Sequence, residues 1–387
     1  MNRTLNLLAF VTFVSALFIR STDPVIPQIA NGLGVEPATA ALLSSAFTLP
    51  YALVQPLLGA LADMFSKARL MLLCLTVVTL ATFACGFAPS FEYLLGGRVI
   101  AGLAAGGVVP ISFALVGDLV PVRERQVAMG RILFAIMTGN LLGATCAGIV
   151  GDLVGWRGVF FATALLGALV LAAAVPGFHG MGKGEGRFDL SMLLPNYRAI
   201  FGNPQAKICF SAVFLEAVFM YGVFPYIATM LHEAGETRAS IAGVVLAGFG
   251  IGGAIYGASV SHLLRHLGEI WMMRVGGTVM ALCLLVIASR AFWPFQFANF
   301  VCLGFGFYML HAVIQIYASE LAPAARGSAM ALHSFFFFLG QAAGPVVYGL
   351  GLNSIGLNPV MYVGAVVLVG TGLVCAQWLR RPAEEAS

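Results

Sequence analysis

Long apolar runs separated by short polar breaks organise the whole chain. They fall at roughly 5–27, 40–62, 70–88, 93–117, 127–150, 157–178, 207–231, 240–262, 270–289, 295–318, 328–350 and 359–379, each near the ~20 residues a helix needs to cross a hydrocarbon layer about 30 Å thick. In lipid every backbone N–H and C=O must be satisfied within the segment or in a closed barrel, and runs of this length are helical. The pattern predicts an all-α membrane protein with twelve transmembrane helices. The longest polar interval, 179–206, divides them six and six, giving an N-terminal half (1–178), a linker (179–206) and a C-terminal half (207–387). After the flexible GMGKGEG stretch, Phe188, Leu190, Leu193, Leu194, Tyr197, Ile200 and Phe201 alternate with Asp189, Asn196 and Arg198, as in a short interfacial helix.

The halves repeat. Gly139, Gly143 and Gly148 recur as Gly340, Gly344 and Gly349, a constant offset of 201 that also places Pro24 on Pro225 and Gly34 on Gly235. Asp118-Leu119-Val120-Pro121 matches Glu320-Leu321-Ala322-Pro323 at an offset of 202. Duplicated six-helix halves related by an axis along the membrane normal are one architecture of secondary transporters.

Composition agrees: 60% of the 387 residues are hydrophobic and 9% charged, against about 25% charged in soluble domains. The net charge of +4 does not point to nucleic acid once it is sorted by position. With the N-terminus cytoplasmic, most Lys and Arg flank cytoplasmic ends, and only Arg157, Arg238 and Arg290 fall outside, so both termini are expected in the cytoplasm. The expected location is the plasma membrane, which in a prokaryote is the inner membrane. The first apolar run continues past Arg20 without a small-residue cleavage site and reads as a helix, not a signal peptide. The seven cysteines lie unpaired in apolar runs, giving neither a disulfide framework nor a metal site.

Four elements carry a family resemblance. They are Pro24-Val25-Ile26-Pro27; the loop Gly59-Ala60-Leu61-Ala62-Asp63-Met64-Phe65-Ser66-Lys67-Ala68-Arg69; Arg98-xxx-Gly102-xxx-Gly106; and Gly139-xxx-Gly143-Ala144. Together they resemble the major facilitator superfamily and, within it, the twelve-helix drug:proton antiporters. Met64, Ser66 and Ala144 depart from the usual basic residue, Gly and Pro of those motifs. The resemblance implies the major facilitator fold and alternating access, with a solute bound between the halves near mid-membrane.

The charged residues inside spans supply candidate chemistry. Placing one charge in a bilayer costs about 2.5–3.5 kcal/mol on insertion scales, so such residues are expected to face the bundle interior. Asp23 and Glu216 are the candidate proton carriers; Arg20, Arg98, Tyr221, His311 and Gln315 are candidate substrate ligands. Tyr51, Gln55, Asn140, Tyr226 and Gln341 are weaker ones. Asp63 is expected to act as a conformational latch with Arg69, Arg125 and Arg131, meeting the positive N-terminus of the helix that begins near Ser328. Gly102, Gly106, Gly139, Gly143, Gly340 and Gly344 are expected to pack helices closely.

Three other patterns fail on context. Gly177-xxxx-Gly182-Lys183 lacks the Ser/Thr of a phosphate loop and follows no strand, Gly248-x-Gly250-xx-Gly253 lies inside an apolar span, and His262 with His266 lacks further ligands. No cofactor is expected. The sequence therefore points to a monomeric secondary transporter of a small molecule. Protons are the expected driving force: the sequence offers no ATP site, and 100 mV is worth about 2.3 kcal/mol per charge, roughly a fifty-fold gradient and enough for export or uptake. Pro24-Val25-Ile26-Pro27 and the many Phe and Met favour export of amphipathic or drug-like molecules. Arg20 and Arg98 keep organic-anion transport as the alternative. A membrane-embedded enzyme is the remote one, since no nucleophile–base pattern is present.

Overall fold

The computed structural model describes residues 2–57, 66–178 and 193–379, and among them every regular element is a helix. The first span is broken. Helix α1 (Asn2–Arg20) gives way to a tight turn over Asp23–Val25 and then to α2 (Ile26–Leu33). Pro24 and Pro27 lack the N–H groups a continuous helix would use. Then come α3 (Pro37–Val54), α4 (Lys67–Cys85), α5 (Phe91–Leu119) and α6 (Val122–Gly177). The linker contributes α7 (Leu193–Gly202). The seventh span is broken like the first, into α8 (Gln205–Tyr221) and α9 (Phe224–Glu233), with Pro225 in the first turn of α9. The remaining helices are α10 (Ala239–His266), α11 (Gly268–Ala288), α12 (Trp293–Glu320), α13 (Arg326–Ser354) and α14 (Leu357–Trp378).

Eleven helical segments are long and apolar enough to cross a membrane. One of them, α6, has 56 residues, about 84 Å at 1.5 Å per residue and more than twice the hydrocarbon thickness. It turns at Gly155, whose φ of 76° and ψ of 172° suit glycine and would strain any other residue. The fifth and sixth predicted spans thus run together as one helical segment, and the twelve-span count holds.

By packing, the described chain forms two compact units. One takes the residues up to 178 together with Phe224–Ala247; the other takes those from 193 to Val223 and from Gly248 onward. Packing thus groups α9 and the first turns of α10 with the N-terminal helices, although by sequence they belong to the second set of spans.

Within each unit the duplicated glycines make duplicated contacts. A methyl group on Gly139 would collide with the carbonyl of Phe13 and stand 3.0 Å from Cβ of Ala16; on Gly340 it would collide with the carbonyl of Phe214 and stand 2.8 Å from Cβ of Ala217. Both partners are displaced by the same 201 residues as the glycines. Gly143 lies against the carbonyl of Leu17 and Gly344 against that of Val218, at 2.8 and 2.6 Å from the position a methyl would take. Gly102 against Phe47 and Gly304 against Phe249 repeat the pattern at 202. Lipid tails are as apolar as leucine, so helices in a bilayer are held by close backbone approach, and these positions admit no side chain.

Gly139→Val and Gly340→Val are each expected to cost about 1–3 kcal/mol through overpacking. Gly96, where an added methyl would meet no atom within 4 Å, is the control. Thermal unfolding of the purified variants should show both valine substitutions well below wild type and Gly96→Ala unchanged.

Candidate functional site

Two clusters of polar side chains are buried in the apolar interior, one in each unit. The first forms where α1 breaks. A helix end leaves its last carbonyls without intrahelical donors, and the carbonyl of Phe18 accepts from Arg98 Nη1 at 3.2 Å and from the Ser21 hydroxyl at 3.2 Å. Arg98, reaching across from α5, also donates through Nε to the carbonyl of Leu43 at 3.3 Å and through Nη2 to Thr22 Oγ1 at 3.5 Å. Its guanidinium carbon stands 4.2 Å from the ring centre of Phe47. Only 1% of Arg98 is exposed. The planar fork binds α1, α3 and the turn between α1 and α2 to α5, with its charge resting on an aromatic face.

Asp23 sits beside it and is completely buried. Ser44 donates to its Oδ1 at 2.7 Å, and Arg20 reaches its Oδ2 at 3.4 Å. Arg20 in turn lies 5.1 Å from the ring centre of Phe224. Asp23 is therefore a compensated charge, held by one cation and one hydroxyl.

The second cluster has different chemistry. Glu216 of α8, also completely buried, meets Nδ1 of His311 of α12 at 2.9 Å through Oε2. Its Oε1 has no hydrogen-bond partner among the described residues. The ring of His333, from α13, is centred 5.1 Å from that of His311, and its Nε2 also lacks a partner among them. Aromatic rings enclose the group: Phe307 stacks on His311 at 4.6 Å and Phe337 lies at 4.8 Å. Tyr221 contacts both phenylalanines and Phe249 at 5.5–5.6 Å.

The remaining candidates are more scattered. Gln315, Arg69 and Arg131 are exposed. Arg125 donates to the carbonyl of Val120 at 2.9 Å. Asp63 and the loop around it lie outside the described residues; at the loop's edge Lys67 pairs with Asp118 at 2.7 Å. Gly106 lies against Tyr51 and Val54, and its carbonyl accepts from Gln55 at 3.1 Å.

Sequence reading does not single out Ser44, His333 or Asp152. A lone histidine within the run Ala329–Gly340 was the available signal for His333. Asp152 of α6 accepts from the N–H groups of Ala239 at 2.8 Å and Ser240 at 2.9 Å, capping α10 from another helix. Next to it Arg238 clasps Glu236 through two hydrogen bonds of 2.8 and 2.6 Å and holds that carboxyl below the usual carboxylate range.

Duplicated broken helices and charges buried inside apolar helical units are features of a polytopic membrane protein. Comparison with known proteins agrees. The family model described as Major Facilitator Superfamily matches residues 8–324 and 209–387, and the chain belongs to that superfamily. It is 24% identical over 385 residues to "Multidrug resistance protein 1" of Bacillus subtilis, covering 97% of this chain and 96% of the relative. With "Quinolone resistance protein NorA" of Staphylococcus aureus it shares 27% over 357 residues and 90% of each chain. Among solved structures it is similar in fold to the nucleoside transporter NupG, with TM-score 0.78 and 16% identity, covering 98% of this chain and 100% of that one. A bacterial homolog of the human lysosomal transporter Spinster gives TM-score 0.73 at 18% identity, covering 96% and 94%. The chain is thus a multi-pass membrane transporter of small molecules.

Arg98→Lys is expected to lower stability by about 1–3 kcal/mol, because one compact ammonium cannot hold three separated acceptors. Gln315→Ala should leave it unchanged. Thermal unfolding in detergent checks both, and a lysine variant as stable as wild type would mean that the three contacts do not hold the helices.

Proposed function

We propose that this transporter exports small amphipathic molecules in exchange for protons, by alternating access, with Glu216 as the proton carrier. The observation that carries the reading is the buried Glu216–His311 contact of 2.9 Å. Among the described residues His311 is the only ion-pair partner of Glu216, whereas Asp23 already has Arg20 and Ser44. A carboxyl without a fixed cation, in a medium where its charged form is costly, gains and releases a proton as access to water changes. That is the requirement of a coupling group.

The rings of Tyr221, Phe249, Phe307 and Phe337 beside it offer apolar and π faces to an amphipathic solute. The names of the multidrug and quinolone resistance relatives support the same substrate class. Organic-anion transport through Arg20 and Arg98 is less favoured, because both guanidiniums are already engaged with groups of the protein. In the proposed orientation both termini and the 179–206 linker are cytoplasmic, a monomer is the working unit, and the six-helix halves are those of the repeat.

The test uses purified protein in liposomes with tetraphenylphosphonium and a quinolone as probes. An imposed pH gradient should drive uptake of at least one of them in wild-type vesicles. Glu216→Gln should abolish this uptake while leaving downhill exchange of the same probe largely intact. Asp23→Asn should reduce both, because it removes the carboxylate charge that faces the buried Arg20. Equal loss of both activities in Glu216→Gln would overturn the assignment of Glu216.

A further inference from the structure

Three helices of the second unit each place an acid–base residue and, about one turn further along, an aromatic one. On α8 these are Glu216 and Tyr221, on α12 His311 and Phe307, and on α13 His333 and Phe337. Depth can be measured from the helix ends on the side of the linker helix α7. At 1.5 Å per residue Glu216 lies about 16 Å from Gln205, His311 about 13 Å from Glu320 and His333 about 10 Å from Arg326. The acid–base groups thus form a staircase, with the carboxyl deepest and His333 nearest the linker side.

On each helix the aromatic residue lies deeper than its acid–base neighbour: Tyr221 about 24 Å from Gln205, Phe307 about 19 Å from Glu320 and Phe337 about 16 Å from Arg326, level with Glu216. Tyr221, Phe307 and Phe337 touch one another in a triangle, with ring centres 5.6, 5.5 and 6.2 Å apart. They cover the deep side of the histidines, so no polar group in this triangle except the Tyr221 hydroxyl could pass a proton that way. The Cys375 thiol of α14 also interacts with Glu216 and with the Cys209 thiol of α8, and Tyr308 borders Phe307 with ring centres 5.0 Å apart.

We propose that His333 is the exit station of a proton relay running Glu216, His311, His333 toward the linker side, with the aromatic triangle as its seal. The proton leaves Glu216 Oε2 for His311 Nδ1 along their 2.9 Å contact. The two imidazole rings are centred 5.1 Å apart and are not hydrogen-bonded through Nε2 of His333, so a rotation of either ring brings the other nitrogen of the His311 imidazolium to that Nε2, which accepts the proton. His311 is neutral again in the other tautomer, Glu216 is left as carboxylate, and the proton is on His333, which is buried here and hands it to water when alternating access opens the linker side. A ring flip or the return proton resets His311. His333 touches neither a solute nor the carboxyl, and it acts through His311. The inference rests on Glu216 being the proton carrier.

The experiment reads the relay without any transported solute. Infrared spectra of purified protein, compared with Glu216→Gln, assign the carboxyl band of Glu216. Transfer to D2O then times its hydrogen exchange. His333→Gln, which keeps a polar group near the Nε2 position, is expected to slow this exchange on the order of a hundredfold, the scale of a positioned acid–base group. Phe337→Leu is expected to leave it as fast or faster. Exchange at the wild-type rate in His333→Gln, equal slowing in Phe337→Leu, or the lack of a band removed by Glu216→Gln would each overturn the relay. A second measurement does not depend on the His333 variant folding. In 15N spectra of the six histidines, Glu216→Gln should shift two titrations, and a shift of only one would overturn the proposal. Failure of both probes to move in wild-type liposomes would instead overturn the export reading, with the carboxyl exchange still measurable.

Discussion

Within each unit the helices are held at distances set by backbone meeting backbone, because a bilayer supplies no hydrophobic force to push one helix against another. Gly139 on Phe13, Gly340 on Phe214, Gly102 on Phe47 and Gly304 on Phe249 are the points where this happens. At such separations a carbonyl is within reach of a neighbouring helix's side chain, and the polar chemistry of the interior depends on that. Arg98 reaches the carbonyls of Phe18 and Leu43 only because α1, α3 and α5 lie this close.

The broken helices show how a duplicated frame has taken on unequal chemistry. Phe18 and Phe219 occupy equivalent places, 201 residues apart, and each leaves a carbonyl that the helix break frees. Arg98 takes the first, and the Tyr348 hydroxyl takes the second at 2.8 Å. The position equivalent to Glu216 is Ser15, and the position equivalent to Asp23 is Phe224. One unit thus surrounds its buried charges with partners. The other keeps a carboxyl beside two imidazoles, the arrangement on which the proposed proton coupling rests.

The twelve spans, the six-and-six repeat and the superfamily were legible in the chain because each rests on a local or periodic property: run length, spacing of Gly and Pro, and short motifs. Gly34 and Gly235, matched by offset alone, both adopt the left-handed conformation, at φ 65° and 92°. The close-packing role of Gly102, Gly139, Gly143, Gly340 and Gly344 was legible for the same reason. Asp23 and Glu216 stood out as charges inside apolar runs, since the cost of burying them depends on depth and not on who their neighbours are.

What those charges touch was decided only by tertiary structure. Arg20 and Asp23, three residues apart, could be paired from the sequence, but Ser44 on Asp23 comes from α3, and Thr22 and the two carbonyls on Arg98 come from α1, α3 and the turn after α1. Glu216, His311 and His333 are separated by 95 and 22 positions, and no periodicity within a helix links them. Their meeting depends on how α8, α12 and α13 rotate about their own axes, which is set by contacts distributed along the full length of each helix. The sequence by itself determined that buried charges exist and how deep they lie; the tertiary packing decided which met a fixed cation and which met only an imidazole.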